Sequence, residues 1–283
     1  MNFMSEMNPL EERPQDLMFK KLAVFIFYWV GMIIISSLIQ VTYALMAFKT
    51  LDFEALSDAQ NIEILAATNF FAYLIIIIVF ILILKKYYLK EIQIFKKNPG
   101  QIIGLGIAFY FVGMITLAVV TLILQAAGLE NTNSENQVFI EEALANFPFY
   151  ILIMTTLFAP IVEETIYRGV IFQSLENLKL KHRLNTILAF VISSGAFALI
   201  HVTTELIEDP IKGLLLSLPY FALGLVMGLV YYLTKSLAAS IITHFIQNAV
   251  SVLASLLLMY IDLPEEVTST RIFEMIARFF NLF

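Results

Sequence analysis

Seven long apolar runs recur at about residues 22–48, 64–84, 102–127, 147–175, 185–204, 213–233 and 237–261, each with few or no charges. Most reach the roughly 20 residues a helix needs to cross a hydrocarbon core. In lipid a chain must satisfy its own backbone hydrogen bonds, and long runs without alternation suit helices rather than barrel strands. Composition agrees: 60% of the 283 residues are apolar and 14% charged, above the usual apolar share of about 45–50%. The expected fold class is therefore all-α, a polytopic membrane bundle of about seven transmembrane helices. A further interfacial helix is expected at 268–283, where Arg271, Glu274 and Arg278 alternate at helical spacing with Ile272, Met275 and Phe279.

The expected divisions are a tail (1–21), three N-terminal spans (22–127), four C-terminal helices (145–261) and the amphipathic end (268–283). The tail lacks the apolar core and cleavage site of a secretory signal. Lysines and arginines fall on alternate loops, all of the 17 except Lys49, Lys212, Arg271 and Arg278 lying on one side. The positive-inside rule then puts the N-terminus in the cytoplasm, and abundant Ile, Lys, Asn and Phe fit an AT-rich genome, hence a bacterial cell membrane. Zero cysteines remove disulfide and thiol chemistry, and no basic stripe suggests nucleic acid. Gly224 and Gly228 form one GxxxG, read as close packing before a dimer face.

A charge at the bilayer centre costs at least about 2.5–3.5 kcal/mol and marks function by default. Such residues are few here: Glu163, Glu164 and Arg168 in the fourth run, His201 near the end of the fifth, His244 and Asn248 in the seventh. Glu164 and Arg168 share a helical face, as do Phe197 with His201 and His244 with Asn248. Any one of them suits a structural staple. Together they place two of three histidines beside the only acidic pair within a span.

These residues form the sequences "EETIYR" (163–168), "FALIH" (197–201) and "HFIQN" (244–248). They resemble the EExxxR, FxxxH and HxxxN motifs of the CPBP intramembrane proteases, which include CAAX prenyl endopeptidases and bacteriocin-immunity (Abi-type) relatives. The resemblance covers about residues 145–261. It implies an endopeptidase in which Glu163 is the general base on a water, His201 shares the water or its proton, Glu164 and Arg168 order the helix and tune Glu163, and His244 and Asn248 donate to the oxyanion. It also implies a hydrophobic or lipidated peptide substrate, with nothing selecting a prenyl group.

A zinc mechanism stays open, with Glu163, His201 and His244 as three ligands and a fourth position for water, although no HExxH is present. So does a membrane binding or immunity protein that keeps the fold without cutting. A transporter is less favoured because the two halves share no similarity. No GxSG nucleophile motif or phosphate-binding loop occurs.

One expectation sets these residues apart. With spans of 145–176, 185–207 and 237–259 aligned at their centres, His201 falls roughly 12 Å in height from Glu163 and His244 at about 1.5 Å per residue. A kink at Pro160 is one way to close that distance.

Overall fold

The computed structural model describes residues 14–126, 134–178 and 181–261. Among them no strand occurs. Seven helices are long and apolar enough to span a membrane: α1 (Gln15–Ala47), α2 (Asp58–Ile83), α4 (Pro99–Ala126), α6 (Pro148–Glu176), α7 (His182–Ile200), α9 (Pro210–Thr234) and α10, whose apolar stretch covers Leu237–Leu257. Three shorter helices connect them: α3 (Lys85–Lys97), α5 (Glu135–Asn146) and α8 (Thr203–Glu208). The expected bundle of seven spans is borne out. The interfacial helix expected at 268–283 lies outside the described residues.

Local signals set the helix ends. Ser57 and Gln60 form a reciprocal capping box at the start of α2, Gln60 Oε1 accepting from the Ser57 N–H at 2.9 Å. The Asp209 carboxylate accepts from the N–H groups of Ile211 and Lys212 at 3.0 and 3.1 Å, with Pro210 in the first turn of α9. Helix begins already at Pro14, so Lys20 and Lys21 lie within it. Lys21 is buried and donates to Gln173 of α6.

With lipid outside, helices associate by close approach rather than by excluding water. A Cβ on Gly224 would lie 3.0 Å from Ser194 Cα, and one on Gly106 would lie 2.7 Å from Ile242 Cγ2. These two contacts join α9 to α7 and α4 to α10. The GxxxG face is thus used inside the chain, since Gly228 likewise meets Phe190 of α7.

The most enclosed span is α6, whose residues 162–170 are all buried. It is not a plain α-helix. Residues 154–158 and 165–172 make π-helical turns on either side of the two glutamates. Single wide turns of this kind recur at functional sites because they re-aim side chains and free carbonyls.

Candidate active site

Pro160 explains the first wide turn. It has no N–H, and its ring would clash with the carbonyl four residues back in a regular helix. The Ala159 N–H bonds to Met154 O, and the π partner of the Thr155 carbonyl would be Pro160, which cannot donate. That carbonyl instead accepts from Asn248 Nδ2 of α10 at 2.8 Å. Half of the Asn248 amide donor capacity is thereby fixed, and one N–H remains.

Glu163 and Glu164 diverge, as successive helical residues must. Glu164 is fully buried and turns toward α9 and α10. Its Oε1 accepts from Arg168 at 2.9 Å and lies 2.9 Å from His244 Nδ1, while Oε2 accepts from the Ser240 hydroxyl. Arg168, also fully buried, donates a second bond to the Gly224 carbonyl at 2.8 Å and lies 5.1 Å from the Phe197 ring centroid. The carboxylate therefore has a cation and two further donors around it, which is what a charge at this depth requires.

Glu163 turns into a cavity of about 190 Å³. Its Oε1 accepts from Tyr73 of α2 at 3.0 Å. Its Oε2 has no hydrogen-bond partner and lies 3.9 Å from both His201 Nε2 and His244 Nε2. Those separations are too long for direct bonds and suit one bridging water.

The expected height mismatch of His201 is therefore wrong. The spans are not aligned at their centres: α7 ends at Ile200, and His201, which caps it, has its Nε2 3.9 Å from Oε2 of Glu163 near the middle of α6. The His201 N–H bonds to Ala198 O, which leaves the Phe197 carbonyl to the imidazole Nδ1 at 2.7 Å. The proton then sits on Nδ1, and Nε2 presents a lone pair to the cavity. Tyr220 of α9 stacks on the ring at 4.6 Å, and its hydroxyl bonds Ser134 Oγ at 2.7 Å. His182, the third histidine, is exposed at the first residue of α7, the end opposite His201.

All six residues singled out in the sequence thus meet at one place, Glu163, His201, His244 and Asn248 on the cavity and Glu164 and Arg168 behind it. Glu163, His201 and His244 also converge as the possible zinc set, yet among the described residues no three His, Cys, Asp or Glu side chains are set to hold a metal ion.

Sequence reasoning missed Tyr73, Ser240, Tyr220 and the cover formed by α5, which contributes Asn136 and Gln137 to the cavity wall. A hydroxyl in the stretch "FAYLIIIIVF" was the available signal for Tyr73. A second, larger chamber of about 620 Å³ adjoins the first, sharing Tyr220, Leu223, Gln247 and Asn248 as walls. It continues between α4 and α9 past Leu117, Thr121, Leu215 and Pro219.

Comparison with known proteins bears on the family that the three motifs resemble. The chain is 30% identical over 154 residues to the membrane-embedded CAAX protease MroQ of Staphylococcus aureus, covering 54% of this chain and 57% of that protein. It is 31% identical over 103 residues to the UPF0177 protein YaiH of Lactococcus lactis, covering 36% of each. The aligned regions thus span little more than half of the first relative and about a third of the second. No solved structure matches. A family model, the Rce1-like type II CAAX prenyl endopeptidase, matches residues 145–250. The resemblance carried by the three motifs is therefore borne out as a similarity: the segment 145–250, which holds all three, is what matches the Rce1-like type II CAAX prenyl endopeptidase model.

Proposed function

We propose that this protein is an intramembrane endopeptidase that hydrolyses a peptide bond of a hydrophobic or membrane-associated peptide. The observation that carries the reading is the free Oε2 of Glu163, buried, facing a cavity, and within a water's reach of two imidazole nitrogens. A water there donates one hydrogen to Glu163 Oε2 and the other to His201 Nε2, leaving its lone pair for a carbonyl carbon.

As the C–O bond forms, Glu163 takes the proton, with His201 holding the water and sharing that transfer. Negative charge collects on the former carbonyl oxygen. His244 donates to it from Nε2. The Glu164 carboxylate at Nδ1 holds the ring in the orientation that this bond needs. The remaining N–H of Asn248 is the second donor. Collapse breaks the C–N bond, and the proton held by Glu163 passes to the leaving amine. Tyr73 acts as a positioning residue by engaging Oε1, so that Oε2 is the oxygen left for the water.

The adjoining apolar chamber supplies a berth for a hydrophobic segment beside the reacting bond. The charge pattern of the loops supports an N-terminus in the cytoplasm, and similarity to bacterial proteins supports a bacterial cell membrane for this multi-pass chain.

The test is cleavage of a quenched library of hydrophobic peptides by the protein in lipid vesicles, with Glu163→Gln and His201→Ala alongside and each sample split with and without chelator. Cleavage by wild type that both substitutions abolish and chelator spares is the expected result. Loss in chelator with rescue by zinc replaces the water mechanism by a metal one. Binding without cleavage by wild type makes this a sequestering protein instead.

A further inference from the structure

The helix α3 carries a surface that the active site does not use. Only Leu84 and Asn98 separate it from the apolar spans on either side, which end at Ile83 and begin at Pro99. It therefore lies where both spans leave the membrane. Five of its 13 residues are lysines, Lys85, Lys86, Lys90, Lys96 and Lys97, and all are exposed. Its one acidic residue, Glu91, is buried and accepts from the Leu237 N–H at 2.9 Å, so no α3 carboxylate competes on the outer face. Between the lysines Leu89 and Ile92 are also exposed, at 38% and 48%. Cations interleaved with apolar side chains at a membrane surface suit lipid, headgroup phosphates meeting the ammonium groups and acyl chains the aliphatic ones.

The inner face of the same helix grips the catalytic span. The Tyr88 hydroxyl bonds Thr165 Oγ1 at 2.8 Å. Tyr87 packs on Gly169 so closely that a Cβ there would lie 2.9 Å from its hydroxyl oxygen. Both contacts fall in the wide turn 165–172 that follows the two glutamates.

We propose that α3 binds anionic phospholipid headgroups through its five lysines, and that this binding stiffens the 165–172 turn of α6 through Tyr87 and Tyr88. The lipid commitment rests on charge complementarity and on the exposed Leu89 and Ile92, which a soluble polyanion would leave in water.

Native mass spectrometry of the detergent-purified full chain, offered equal phosphatidylglycerol and phosphatidylcholine, reads the first claim without requiring any peptidase activity. Wild type should retain phosphatidylglycerol preferentially. Replacing the five lysines by glutamine should cut that preference by about tenfold, and replacing them by arginine should keep it. A glutamine variant that keeps the wild-type preference, or a wild type with none, overturns the proposal. Inorganic phosphate or short-chain phosphoglycerol competing as well as the lipid shows recognition of free phosphate and overturns the lipid assignment. Hydrogen exchange reads the second claim: amides of 165–172 should gain protection with phosphatidylglycerol in wild type and not in the glutamine variant. Equal protection in both overturns the coupling.

Discussion

Two adjacent glutamates should answer the same substitution in opposite ways, because their surroundings differ. Glu163→Gln keeps a carbonyl oxygen for Tyr73 and removes only a base facing a cavity. Activity should fall by about 10²–10⁴-fold with the melting temperature in detergent nearly unchanged. Glu164→Gln leaves Arg168 fully buried without its carboxylate, a loss of about 3–5 kcal/mol for a broken buried pair. That variant should melt far below wild type whatever it does to cleavage. Tyr73→Phe should lower kcat roughly tenfold, the equivalent of about 1.4 kcal/mol at 25 °C, with KM within about twofold, since Tyr73 orients Glu163 without holding substrate. The sequence shows that successive glutamates on a helix diverge, yet not which one meets the cavity. Tyr73 is harder still to foresee, because residues 73 and 163 belong to spans with no spacing relation.

At the scale of the helix, Pro160 was expected to bend α6, and the structure shows a wide turn that releases one carbonyl to Asn248. Pro160→Ala restores an N–H that competes for that carbonyl and lets α6 relax toward regular helix. Activity should drop while stability holds or rises, which separate cleavage and melting measurements resolve. Gly224→Ala tests the opposite kind of constraint. Its methyl would press on Ser194 backbone at 3.0 Å and disturb the carbonyl that anchors Arg168. Overpacking of this sort costs about 1–3 kcal/mol, read as a lowered melting temperature. Spans could be placed from hydropathy to within a few residues. Their relative heights could not, because hydropathy gives the length of each span and not the offset between the centres of spans that pack together.

For the whole molecule, the family match at 145–250 marks where the motifs lie, while the site draws on more of the chain. Tyr73 comes from α2 and Asn136 from α5, both outside that segment. Outside the spans, α3 ties the two regions together through Glu91, whose carboxylate accepts the N–H of Leu237 at the start of the helix that bears His244 and Asn248. Burial raises the Glu91 carboxyl above its ordinary 4.5, more than the Leu237 bond and the nearby Lys90 and Lys21 lower it. A carboxyl raised in the folded state binds its proton more tightly there than in the unfolded chain. Its contribution to stability is thus fully present below pH 4.5 and is lost as pH rises through the folded-state value. Glu91→Gln keeps an oxygen for Leu237 and removes that titration. The melting temperature of the variant should exceed that of wild type at neutral pH, and the gap should close as the buffer is made acidic. A gap constant from pH 4.5 to 8 would mean that the buried carboxylate exacts no charge penalty where α3 meets α10.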